Sequence, residues 1–362
     1  MAPKMLLLLL AAVLLGGGAT PAAAFDEPYV FPPTAPEPYP MERSTYRSFR
    51  ELVALLASNT SLVDPTGTVP PGAIPPPTPL TCGRRVPGTA HTVRCEAGPP
   101  LGGYVLEPPR PATASIVFLH GYTDTPYIYG TFFASALASA PALFASVRVA
   151  VPLAPIYAAQ PIAGAAPVDF YAWFDAASVL STTVPALLNG TDVAAVMAAF
   201  RADTATADRL GLFLSTRRIE AVVARERGAV RNGGARDGGR VLLAGHSLGA
   251  AMATHVALVS RSRLDGVVPL QGFLPGAPTL LASNETYDRG ARGYDVEMVA
   301  GADDLIVPPL VVDASARLVR GLLAGLATVK YTVLAGVTHS NFIVPGPSLD
   351  AVVAVLRRNL QA

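Results

Sequence analysis

The chain has 362 residues, 51% of them hydrophobic and 15% charged, with a formal net charge of +1. So even a balance argues against nucleic-acid binding, which needs a basic surplus, and the low charge with high hydrophobicity excludes global disorder. The two cysteines exclude a disulfide-built scaffold and an iron–sulfur cluster.

The first element is a leader. Lys4 precedes an unbroken apolar run from Met5 to Leu15, Gly16–Gly18 breaks it, and Ala22-Ala23-Ala24 supplies small residues. This pattern predicts a signal peptide over residues 1–24, cleaved before Phe25, and a secreted protein. The apolar run is shorter than the roughly 20 residues that span a bilayer, so no transmembrane span is expected after cleavage. A two-part plastid presequence is the alternative, but Asp26 and Glu27 oppose it because transit segments are poor in acids. Asn59, Asn189 and Asn284 each begin a glycosylation triplet, in keeping with export.

Residues 25–100 read as a Pro-rich extension. Within it, Tyr46, Phe49, Leu52, Val53 and Leu56 recur at helical spacing over 43–57. Cys82 and Cys95 lie close together in a loop rich in Gly, Pro and Arg. In an oxidising compartment they are expected to pair.

From about residue 101 to the C-terminus, short apolar β-branched runs alternate with helical stretches. Strands are predicted at 103–106, 115–119, 147–151, 241–244, 267–271, 294–299 and 328–334. Helices are predicted at 129–139, 205–227, 248–261, 312–325 and 348–359. Several strands lack a polar alternate, as expected where helices cover both faces. The alternation predicts one α/β domain around a mostly parallel sheet. The Ala/Pro-rich segment 156–200 is expected to form a lid or acyl-binding loop.

Chemistry concentrates at Gly245-His246-Ser247-Leu248-Gly249. The apolar strand Val241–Ala244 precedes it and a small-residue helix follows, the setting of a nucleophile elbow. A serine on so tight a turn leaves no room for side chains two residues away, so glycine stands at both places. A serine nucleophile needs a base and an orienting acid, in the chain order Ser, acid, His. Of the five histidines only His339 lies well downstream, just after the strand ending at Leu334. For the acid, Asp303 and Asp304 both follow the strand ending near Val299, and position alone leaves the two open. The oxyanion donors are expected to be the N–H groups of Leu248 and, from the loop after the first parallel strand, Tyr122. His120 is expected to brace that loop.

Together these residues resemble the phospholipase/carboxylesterase family of α/β-hydrolases, best known for acyl-protein thioesterases. Leu119-His120-Gly121 with Asp124-Thr125 looks like the family's first loop, and Pro152-Leu153-Ala154-Pro155 like its second marked stretch. Trp173-Phe174-Asp175 is similar to its tryptophan loop, which implies a substrate-binding Trp173. Asp304-Leu305-Ile306-Val307-Pro308 looks like the segment that begins with the family's acid, which favours Asp304. Thr338-His339-Ser340 resembles the histidine segment. Leu248 stands where the thioesterases carry Gln, and Thr123 replaces a glycine.

The resemblance implies an α/β-hydrolase that cleaves carboxylic esters or thioesters through an acyl-enzyme. No cofactor or metal is implied. The expected partner is a small-molecule or lipid acyl ester or thioester, or an acylated protein. The alternatives are a lipase acting at lipid interfaces and a catalytically silent binding protein on the same fold.

Overall fold

The computed structural model describes residues 60–64, 80–159 except 97, 99 and 123, 168–175, 194, 196, 208–234, 239–260, 262–277, 280, 294–343 and 345–361. The leader, the helix expected at 43–57 and the three glycosylation asparagines lie outside the described residues.

The main sheet has eight strands: β2 (Thr92–Cys95), β3 (Tyr104–Glu107), β4 (Ala114–Leu119), β5 (Val147–Val151), β8 (Arg240–His246), β9 (Gly266–Leu270), β10 (Tyr294–Gly301) and β11 (Ala327–Leu334). Their order is β11-β10-β9-β8-β4-β5-β3-β2. From β11 to β5 every pairing is parallel, and β3 and β2 add on antiparallel. A smaller antiparallel sheet joins β1 (Thr60–Asp64), β6 (Ile156–Ala159) and β7 (Val168–Tyr171). The described part of segment 156–200 thus begins in that small sheet.

Successive strand residues face opposite ways, and both faces of the central strands β4, β5, β8 and β9 are buried. In β4, Val117 and Leu119 join the core cluster that includes residues of α3 (Arg209–Asn232), α4 (Leu248–Val259) and α5 (Pro309–Leu322). Ile116 and Phe118 join the other cluster, with α1 (Gly130–Ser139), α2 (Pro141–Phe144) and α6 (Pro347–Gln361). That two-sided burial explains why β4, β5 and β9 read as largely apolar, with Ser115 and Arg148 the polar exceptions, both bonded to the buried Glu226.

Local chemistry sets the helix starts. Pro309 and Pro347 stand first in α5 and α6, where a missing N–H costs nothing. Asp208 caps α3, accepting from Gly211 N–H at 2.7 Å. Its other oxygen accepts from Asp175 N–H at 2.9 Å, which ties the tryptophan loop to the helix.

The extension is not separate from the sheet, which runs across residue 100. Cys82 and Cys95 are disulfide-bonded, with Cα atoms 5.5 Å apart. On the chain-entropy account this closure stabilises by about 3 kcal/mol. Cys95 ends β2, so the bridge holds the outermost strand. Arg94 pairs with Glu107 and Glu96, and Arg225 of α3 also pairs with Glu96.

Candidate active site

The parallel strands end on one edge, and the site assembles there. Ser247 follows β8 directly and has φ 54° and ψ −118°, a left-handed backbone rarely adopted by residues with a side chain. The turn survives because its surroundings fix it. Ser247 N–H donates to Leu270 O at 3.0 Å, and Ala251 N–H donates to Ser247 O at 3.0 Å.

The glycines of the motif are required by contact. A Cβ on Gly245 would lie 2.5 Å from Gly249 O, and one on Gly249 would fall on the carbonyl oxygens of Leu119 and His120. Gly249→Ala is therefore expected to destabilise by about 2–4 kcal/mol, read from the urea midpoint. An unchanged midpoint contradicts the contact. The same closeness sets Leu119 and His120 against Gly249. The loop that carries Tyr122 therefore starts against the first turn of α4.

Ser247 Oγ lies 3.0 Å from His339 Nε2, and His339 Nδ1 lies 2.8 Å from Asp304 Oδ2. Asp304 is 1% exposed, and its Oδ1 accepts from Ile306 N–H at 2.8 Å and Val307 N–H at 2.9 Å. Asp303 is exposed, and only its backbone faces the histidine loop, through a bond to Val337 O. Burial and direction thus distinguish two aspartates that sequence position leaves equivalent.

His120 is fully buried. Ala154 N–H donates to its Nε2 at 2.9 Å, so that nitrogen is bare and Nδ1–H donates to Gly121 O, also at 2.9 Å. Burial pushes its pKa down to about 3, and the ring stays neutral. Trp173 is also fully buried, and its indole N–H donates to His120 O at 2.9 Å. Trp173, expected to bind substrate, thus has its ring buried and its indole N–H bracing the loop that carries Tyr122. Tyr122 itself is partly buried, and burial raises the pKa of its phenol.

His120, fully buried, and His255, partly buried, predict acid sensitivity. Burial lowers His120 to about 3 and His255 to about 4, against 6.5 in an unfolded chain. Between those values the unfolded chain binds more protons, so stability falls as pH falls from 6.5 towards 4. Each histidine contributes about 1.4 kcal/mol per pH unit. Urea unfolding at pH 7.0 and 5.5 measures it, and a flat profile refutes it.

Among the described residues no cluster of His, Cys, Asp and Glu could hold a metal ion. Among them, too, no helix is long and apolar enough to cross a membrane.

The sequence match agrees with the fold. Residues 202–348 match the Phospholipase/Carboxylesterase family, a stretch that contains Ser247, Asp304 and His339. Similar solved structures include acyl-protein thioesterase 2 of Zea mays, 20% identical, over 71% of this chain and 97% of that one, with a TM-score of 0.49. SOBER1 of Arabidopsis thaliana is 18% identical over 68% of this chain and 99% of its own, with a TM-score of 0.46. A carboxylesterase from Mesorhizobium loti is 14% identical over 77% and 98%, with a TM-score of 0.43. The chain resembles the phospholipase/carboxylesterase family of α/β-hydrolases, with the family match lying over residues 202–348.

Proposed function

We propose that the chain is a secreted serine hydrolase that cleaves carboxylic esters or thioesters through an acyl-enzyme. The observation that carries this reading is the hydrogen-bonded row Ser247–His339–Asp304, which starts from a strained serine at the head of a helix. Export belongs to the proposal. The leader pattern and the Cys82–Cys95 bridge support it.

Ser247 Oγ attacks the acyl carbonyl and passes its proton to His339 Nε2. Asp304 accepts from Nδ1–H, holds the ring in that tautomer and stabilises the imidazolium. The N–H groups of Leu248 and Tyr122 receive the oxyanion. Each such donor contributes roughly 3 kcal/mol in the transition state. The tetrahedral intermediate collapses, and Nε2–H goes to the departing alcohol or thiol. Water, deprotonated by His339, then attacks the acyl-serine, and Ser247 Oγ leaves with the proton.

A lipase is the second reading. Leu305 is 78% exposed and Ile306 42% exposed, both directly after Asp304, an apolar rim suited to an acyl surface. The silent binding protein has no such support, because all three residues of the row are in contact.

The test is labelling of the mature chain with a fluorophosphonate, followed by turnover of matched oxygen esters and thioesters of increasing acyl length. Labelling with ester or thioester turnover is expected. Absence of both refutes the hydrolase. A jump in rate when the substrate passes its solubility limit moves the reading to the lipase.

A further inference from the structure

His246 has no part in the steps above, yet it lies against the base. Its ring is 3% exposed and packs against His339, with centroids 4.7 Å apart and the planes tilted by 47°. His246 Nε2 is 2.7 Å from the backbone oxygen of His339. A carbonyl only accepts, so Nε2 carries a proton there.

On the other side, His246 Nδ1 is 2.7 Å from Tyr129 Oη, which is also 2.8 Å from Asp124 Oδ2. Tyr129 Oη also accepts from Gly121 N–H at 3.2 Å. The two hydrogen bonds that join Asp124, Tyr129 and His246 need two protons. The phenol brings one, so the row holds a second. Burial raises the pKa of Asp124 and lowers that of His246, and both shifts favour keeping that proton on the carboxyl. Every donor then runs one way: Asp124 O–H to Tyr129, Tyr129 O–H to His246, and His246 Nε2–H to His339 O.

A second anchor stands beside this row. Gln271, at the end of β9 and itself at φ 56°, donates from Nε2 to Thr338 O at 2.7 Å. Two adjacent carbonyls of the base loop are therefore held by side chains from neighbouring strand ends. Because Gly121 directly precedes Tyr122, the row also reaches the oxyanion loop.

We propose that Asp124, Tyr129 and His246 are positioning residues that join the oxyanion loop to the base loop through one shared, buried proton. The proposal deepens the hydrolase reading and rests on it. Its effect is on the chemical step, since none of the three is given a contact with substrate.

The test has two parts. In the wild-type protein labelled with 15N-histidine, long-range imidazole spectra at pH 7 are expected to show His246 neutral, protonated at Nε2 and bare at Nδ1. A bare Nε2, or an imidazolium, overturns the row as drawn. For turnover, His246→Phe keeps a ring but removes both nitrogens. It is expected to lower kcat 10- to 100-fold with KM within twofold, and His246→Gln, whose amide can donate to His339 O, to recover part of the loss. Tyr129→Phe is expected to lower kcat in the same sense. A folded His246→Phe protein with wild-type kcat overturns the positioning role, as does a loss confined to KM. The spectra need no turnover. A wild-type protein with the expected tautomer but no hydrolysis refutes the hydrolase and not the row.

Discussion

Replacing Ser247 by alanine is expected to abolish fluorophosphonate labelling and to lower kcat by roughly 10⁶-fold, the size of loss seen when a triad nucleophile is removed. His339→Ala should cost about as much, and the double variant little more, because nucleophile and base act as a unit. The structure adds a second readout. Ser247 sits at φ 54°, where a Cβ is strained and glycine is not. Ser247→Gly should therefore be more stable than Ser247→Ala by about 1 kcal/mol, while being equally inactive. Labelling of the alanine protein contradicts the nucleophile. Equal urea midpoints for the two variants contradict the strain.

Asp304→Asn is expected to lower kcat by about 10⁴-fold with little change in fold, and Asp303→Asn to leave it within about threefold. The asparagine can still accept from Ile306 and Val307 N–H through its carbonyl oxygen. Its NH₂ then faces His339 Nδ1, where the carboxylate oxygen had been an acceptor. Two donors cannot share that contact, so the proton moves to Nε2, and the ring can no longer take one from Ser247. The opposite pattern, a large loss at Asp303 and a small one at Asp304, would transfer the role of the acid.

Much of the parallel sheet was legible because its strands are buried on both faces and read as apolar runs. Ser247, the proposed nucleophile, was legible because its sterics are local: Gly245 and Gly249 stand within two residues of it. The histidine was legible only by elimination. The proposed acid was not separable by position, since Asp303 and Asp304 share a loop and differ in burial, which follows from the packing of Val307 and the turn after β10. Least legible were contacts between residues far apart in the chain. His246 meets Tyr129 across 117 positions, and His339 across 93. The motif positions His246 beside the serine but says nothing of where its ring points. Trp173 shows the same limit: the resemblance implied a ligand contact, whereas its ring is buried and its indole N–H holds His120 O. Strand β2 was missed because Thr92–Cys95 is a short run between turns, stabilised by pairing with β3 and by the disulfide more than by its own pattern.

That outermost strand also sets how far the chain can be trimmed. Leu80, Val86 and Val93 are buried in the same cluster as Tyr104 and Leu106 of β3. A protease that cut just downstream of Cys95 would free β2, bridge included, from its covalent link to β3. The apolar edge of β3 would then lie open, with unpaired main-chain groups ready to accept a strand from another molecule. Maturation by cleavage thus keeps this edge covered only upstream of Leu80, and a nick between Cys82 and Cys95 stays harmless while the bridge holds Leu80 to β2.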